Sequence, residues 1–289
     1  MEVAEVASTV PTAFATPGPT MPKLIIERAR KAFRQADGAE ISAIADLSFS
    51  VKSGEYVAIV GPTGAGKSVL LDCVLGLKHL DAGQIWIDGR PVQNFVREKK
   101  GHITRIFQED RLLPWLSATD NAAFGLQIQG VPEQERRKRA SKWLDAVGLS
   151  AFKNALPREL SGGMRQRVNI ARAFAPNPDL VLLDEAFSAL DDVTASRLRQ
   201  DFKTLAKSQR TTFLIVTHNI EEAIFLANRI LVFGAPAHLV AEIVVPAQAW
   251  EDRVTVDQIK DEIRAKLAAV SSPFFSSHAG LHSSSQLES

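Results

Sequence analysis

Among the runs of consecutive apolar residues in this chain are Val57-Ala58-Ile59-Val60, Leu180-Val181-Leu182-Leu183 and Phe213-Leu214-Ile215-Val216. The second follows Pro178 and reads as a strand buried on both faces, as in a parallel sheet; the third is strand-like too. Segments around Leu24-Ile25-Ile26, Leu47-Ser48-Phe49-Ser50-Val51 and Gln84-Ile85-Trp86-Ile87-Asp88 have β character and suit an antiparallel layer, with Asp88-Gly89 as a turn. Helical spacing begins elsewhere. Met164, Val168 and Ala171 recur at i, i+4 and i+7, and Pro132 opens a helix with Ala140, Trp143, Leu144 and Val147 on one face and Gly148 at its end. A last helical stretch is expected over 256–270.

Residues 1–22 hold four prolines among Thr, Ala and Ser, and 272–289 are rich in serine, so both ends read as disordered tails. With 289 residues and 45% hydrophobic content the chain can bury one sizeable core, and a net charge of +1 argues against a nucleic-acid binder that works by neutralising phosphates. No apolar run approaches membrane-spanning length, and residues 1–22 carry no Lys or Arg, so a basic secretory leader is not expected. The single cysteine, Cys73, cannot form an internal disulfide and reads as a small core residue. Arg136, Arg137, Lys138, Arg139 and Lys142 cluster on the helix after Pro132; without accompanying aromatics they read as a solvated face, not an RNA site.

Chemistry enters with Gly61-Pro62-Thr63-Gly64-Ala65-Gly66-Lys67-Ser68, which fits the phosphate-binding pattern G-x-x-x-x-G-K-[ST] and follows an apolar strand, as that pattern requires. Its glycines let successive N–H groups point inward, and a helix starting near Lys67 adds the positive end of its dipole. Lys67 then reaches the β- and γ-phosphates, and the Ser68 hydroxyl can ligate Mg2+. The partner is Asp184-Glu185 at the end of the 180–183 run. Neighbouring side chains diverge there, so Asp184 serves the Mg2+ shell while Glu185 addresses the attacking water.

Between these motifs stands Leu160-Ser161-Gly162-Gly163-Met164-Arg165-Gln166-Arg167, and with it the chain resembles the ATP-binding-cassette family, the ATPase subunits of ABC transporters. The resemblance covers about residues 23–245. It implies an α/β fold: a P-loop NTPase (RecA-like) core with an antiparallel β layer and a helical subdomain at about 112–175, followed by a helical extension at 246–271. It also implies roles. Ser161, Gly162 and Gly163 look like the signature loop, which contacts the γ-phosphate held by a second subunit, so a dimer with two buried ATP molecules is expected, formed by two copies or by close paralogues. Gln108 in Ile106-Phe107-Gln108-Glu109 resembles the Q-loop glutamine, which joins Ser68 and Asp184 at the metal, and Asp191 lies in a D-loop, Ser188-Ala189-Leu190-Asp191. His218 resembles the switch histidine, and Phe33 the aromatic that stacks on adenine. Ala186 departs from the pattern, since many members carry proline there.

The apolar, proline-interrupted string Arg111-Leu112-Leu113-Pro114-Trp115-Leu116 is poorly suited to a solvated loop and reads as a docking surface. In the family this region borders the groove that receives a membrane permease subunit, and the string resembles importers of nitrate, sulfonates, taurine and related solutes. The expected protein is therefore an ATP- and Mg2+-dependent ATPase, peripheral on the cytoplasmic face of a membrane, coupled to permease subunits and a solute-binding protein. An exporter or lipid-transport ATPase would share every catalytic motif. A soluble cassette acting on DNA or ribosomes would carry a coiled-coil insertion or a second cassette.

Overall fold

A computed structural model describes residues 22–97, 103–207 and 211–271. The tails at 1–21 and 272–289, read above as disordered, lie outside the described residues. Two sheets carry the architecture. The first is antiparallel, ordered β2-β1-β4-β5, and is formed by β1 (Leu24–Arg34), β2 (Glu40–Val51), β4 (Ala82–Ile87) and the short β5 (Arg90–Pro91). Ile87 pairs with Arg90, leaving Asp88 and Gly89 as a two-residue loop with φ of 49° and 70°, the twist that suits a tight hairpin.

The second sheet is ordered β10-β9-β3-β8-β7-β6. It comprises β3 (Tyr56–Val60), β6 (Ile103–Ile106), β7 (Leu180–Asp184), β8 (Thr212–Thr217), β9 (Arg229–Phe233) and β10 (Leu239–Val244), all parallel except β10 at one edge. The continuous apolar runs are explained by burial on both faces. Ala58, Val60, Val181, Leu183, Phe213 and Ile215 enter one hydrophobic core, and Val57, Ile59, Leu180, Leu182, Leu214 and Val216 enter the other. The second core also takes the antiparallel sheet and α1 (Lys67–Val74), including the buried Cys73. Backbone bonds Ala45 N to Ala237 O (2.9 Å) and Ala237 N to Ala43 O (3.0 Å) fasten the two sheets together.

Between β4 and β7 come α2 (Val92–Arg97), α3 (Ala118–Ile128), α4 (Glu133–Ala146) and α5 (Gly162–Phe174). Trp143 of α4 stacks on Phe174 of α5 at 5.0 Å, and Phe174 meets Phe202 of α6 (Asp192–Lys207) at 5.9 Å, so aromatic contacts carry these helices onto the core. The basic cluster of α4 is exposed or half-buried and partly ion-paired: Arg137 reaches Asp120 at 2.8 Å and Arg139 reaches Glu135 at 2.7 Å. After α7 (Ile220–Leu226), α8 spans Arg253–Ser271 and starts three residues before the expected 256. Asp252 explains the early start, because its carboxylate accepts the N–H groups of Val254 (3.1 Å) and Thr255 (3.2 Å).

Candidate active site

The carboxyl ends of β3, β7 and β8 deliver Gly61–Ser68, Asp184-Glu185 and His218 to one edge of the parallel sheet, where an open α/β sheet offers its ligand crevice. The glycine loop is shaped by close approach. Gly66 has φ 86°, and a Cβ there would lie 2.1 Å from Ala43 O, so no other residue fits. Thr63 and Gly64 are exposed at the rim, Pro62 is half-buried, and Gly61 and Ala65 are buried beneath. Lys67 is only 6% exposed; its ammonium donates to Gly61 O and Pro62 O, both at 2.8 Å, which holds the charge inside the loop's own curve. Burial pushes its pKa below the ordinary lysine value, while Glu185 and Asp184 facing it pull the other way.

Ser68 Oγ donates to Asp184 Oδ1 at 3.2 Å, bringing a hydroxyl and a carboxylate oxygen to one point. This pair fits a hard divalent cation such as Mg2+, which takes one or two protein oxygens and keeps water and phosphate for the rest. Among the described residues no group of three or more His, Cys, Asp or Glu side chains could hold a metal by itself. Glu185 has φ 49°, a left-handed turn immediately after the strand, and its carboxylate meets His218 whereas that of Asp184 meets Ser68. Its Oε2 lies 3.0 Å from His218 Nδ1, so the carboxylate is oriented toward β8's end. Lys67, Ser68, Asp184, Glu185 and His218 thus form one constellation.

The other motif residues stand elsewhere. Ser161 caps α5, its Oγ accepting Met164 N at 3.3 Å, and Gly162 is exposed. No hydrogen bond or ion pair among the described residues joins Ser161–Gly163 to Gly61–Ser68. Gly162 instead lines a cleft of about 420 Å³ with Gln108, Asp110, Arg165, Ala189 and Leu190. Gln108 is exposed on the loop after β6 and bonds to neither Ser68 nor Asp184. Asp191 accepts Thr194 N at 3.0 Å at the start of α6, which holds its carboxyl below the usual range. Phe33 is 37% exposed on β1 with Lys31 Nζ 5.4 Å from its ring, so it is a surface aromatic and not a core residue.

Two residues escaped the sequence reading. Arg105 of β6 donates to Asp184 Oδ2 and, at 2.6 Å, to Asp72 Oδ1 on α1. Gln166 of α5, buried, donates to Ala186 O at 2.6 Å and Phe107 O at 3.3 Å. The available signal was a lone cation in the strand-like Ile103-Thr104-Arg105-Ile106, which needs a buried carboxylate partner.

A strand, a phosphate-binding loop and a helix, with an acidic strand end two strands away across β8, define a P-loop nucleoside triphosphatase. The chain belongs to the ABC transporter family, whose model matches residues 44–188. It is similar to the taurine import ATP-binding protein TauB of Pseudomonas aeruginosa, 38% identical across 84% of this chain and 91% of that protein. An ABC transporter ATP-binding protein of Methanocaldococcus jannaschii is 34% identical across 85% of this chain and 90% of its own length. Among solved structures, a dimeric, post-hydrolysis ATP-binding cassette bound to ADP and Pi is 31% identical, with TM-score 0.69, over 78% of this chain and 99% of that one. The chain is accordingly an ATPase subunit that uses ATP with Mg2+. No helix among the described residues is long and apolar enough to cross a membrane.

Proposed function

We propose that this chain drives import of a small solute, of the nitrate, sulfonate or taurine kind, through membrane permease subunits that dock near residues 108–116. It works there as a dimer, of two copies or with a close paralogue, closed around two ATP molecules at the cytoplasmic face of the membrane. A solute-binding protein supplies the cargo. Similarity to TauB supports the importer reading. The observation that carries the dimer is the separation of Ser161–Gly163 from the constellation at Lys67: among the described residues no hydrogen bond joins the exposed, Ser161-capped N-terminus of α5 to the phosphate loop.

Each protomer performs one half of the chemistry. Gly61–Ser68 cradles the phosphates through inward N–H groups, Lys67 neutralises the β- and γ-oxygens, and Phe33 stacks on the adenine. Mg2+ would be held by Ser68 and Asp184, with Gln108 joining from its loop, and it supplies charge neutralisation at the phosphate oxygens. Glu185, steadied by His218, takes the proton from the attacking water, and His218 contacts the γ-phosphate. Ser161, Gly162 and Gly163 of the second protomer aim α5's first N–H groups at the same phosphate, and Asp191 lines the interface. Closure requires ATP, hydrolysis releases it, and the permease follows.

Glu185→Gln tests the reading. The variant should bind Mg-ATP, turn over at least 100-fold more slowly than wild type, and accumulate as a dimer by size exclusion with light scattering. A monomer in saturating Mg-ATP together with undiminished turnover would refute both the base and the shared site.

A further inference from the structure

Arg105 sits in the middle of β6, opposite Leu182 of β7, and its side chain is 8% exposed. A guanidinium so enclosed is tolerated only where carboxylates meet it. It has two. One arm bonds Asp184 Oδ2 and the other bonds Asp72 Oδ1 at 2.6 Å, while its Nε finds no partner among the described residues. The two carboxylates belong to different elements: Asp184 ends β7, and Asp72 lies on the helix that begins with Lys67 and Ser68. Asp72's other oxygen takes Lys78, so that acid is fully engaged and serves as an anchor.

The consequence falls on Asp184. Its two oxygens are divided, with Oδ2 committed to Arg105 and Oδ1 turned to Ser68 Oγ at 3.2 Å. Without the fork from β6 the carboxylate could rotate about its terminal torsion, which is broad and nearly two-fold, and present either oxygen to Ser68. Arg105 is also stacked on Phe107, its Cζ 4.6 Å from the ring centroid, with Arg111 Cζ on the same ring at 4.1 Å. The residue next in the chain is Gln108. One buried cation therefore touches the end of β7, the phosphate-loop helix and the root of the Gln108 loop.

We infer that Arg105 is a positioning residue for the divalent-cation site: bridging Asp72 and Asp184, it reserves Asp184 Oδ1 for the metal. This rests on the reading of Ser68 and Asp184 as the cation ligands. The planar fork is what the geometry uses, since its rigidly related donors fix the orientation of both carboxylates, which an ammonium on a flexible stem does not impose. Arg105→Lys keeps the charge and removes that fixed geometry, so the variant isolates orientation from net charge.

The test uses the full chain loaded with ADP and measures Mn2+ binding by electron paramagnetic resonance, beside nucleotide affinity in EDTA and a thermal melt. Arg105→Lys should weaken Mn2+ binding by about three- to tenfold, the cost of ordering one freed side chain. Nucleotide affinity without metal should stay within twofold. Asp72→Asn, which leaves Asp184 and its ligand atoms in place but loosens the anchor, should weaken Mn2+ in the same direction by less. Unchanged Mn2+ affinity in both variants overturns the inference, as does a parallel loss of metal-free nucleotide binding and melting temperature, which marks Arg105 as a scaffold residue. Asp184→Asn separates the two readings. If it does not weaken Mn2+ binding, the cation site itself is misassigned; if it does while Arg105→Lys is silent, only the role of Arg105 fails.

Discussion

Truncating Trp115 to alanine separates docking from stability, because the indole is 71% exposed while the loop that carries it is fixed. Asn121, wholly buried in α3, accepts Leu113 N at 2.8 Å and donates to the carbonyls of Leu113, Leu116 and Ser117 at 3.0 to 3.1 Å. Leu112 is packed into the core at 9% exposure. The loop therefore stays in place when the ring is removed. At most roughly 70 Å² of a tryptophan's surface of up to about 250 Å² is covered in the isolated chain, worth no more than about 1.8 kcal/mol at 25 cal/mol per Å². For a chain of this size that lowers the melting temperature by no more than about 5 °C. If Trp115 docks a permease as proposed, its loss should cost at least about 2 kcal/mol there, close to a thirtyfold weakening. Trp143→Ala is the internal control. That ring stacks on Phe174 at 5.0 Å, so its removal should cost about 3 to 5 kcal/mol and depress every activity together. Melts of both variants beside titrations against the membrane subunits decide the matter: a fall of 10 °C or more in Trp115→Ala, or permease affinity equal to wild type, refutes the assignment.

Lys67→Ala should abolish high-affinity ATP binding in a chain that still folds but melts lower, because the buried ammonium also donates to Gly61 O and Pro62 O; a calorimetric titration with wild-type affinity would end the phosphate-loop reading. Glu222, 4% exposed on α7, has its carboxyl pKa raised by burial against the opposing pull of Arg199. Between the unfolded carboxylate value near 4 and that raised value the native state holds more protons than the unfolded one, so stability falls as pH climbs through this window. Glu222→Gln removes the titration; melts from about pH 4 upward should show the variant gaining on wild type, and a pH-independent gap would contradict it.

The strands of the parallel sheet were legible because Leu180–Leu183 and Phe213–Val216 are apolar without alternation, and only burial on both faces asks for that. Their order was not. β3 lies between β8 and β9, partners about 160 to 170 residues away in sequence, and no local pattern encodes such pairing. The hairpin at Asp88-Gly89 was readable because two positive φ values demand that residue chemistry. The start of α8 was missed because the apolar spacing begins at Val256, whereas the helix is nucleated earlier by Asp252. Within the site, the residues named from motif spacing all appear at strand ends or helix starts, positions that sequence marks well. Arg105, Asp72 and Gln166 act from the middle of elements. There a polar side chain looks like an ordinary surface residue until the fold covers it.

Coverage of that kind links the nucleotide edge to the segment proposed to dock a permease. α5, capped by the exposed Ser161, grips the chain on both sides of Gln108. Arg165 pairs with Asp110 at 2.9 Å, Gln166 holds Phe107 O, and Arg172 donates to Asp110 O at 2.7 Å and Arg111 O at 2.8 Å. Charged donors on carbonyls are worth about 1.5 to 3 kcal/mol each, so this segment and α5 are joined more firmly than a surface loop would be. Toward the phosphate loop the picture is the reverse: no hydrogen bond among the described residues ties Ser161–Gly163 to Gly61–Ser68, and Gln166 meets the acidic strand end only through Ala186 O. If a permease docks at Trp115 as proposed, a load there passes to α5 through Asp110 and Arg111. On that proposal, the segment that receives the load is bonded to the helix whose N-terminus is offered to a second nucleotide.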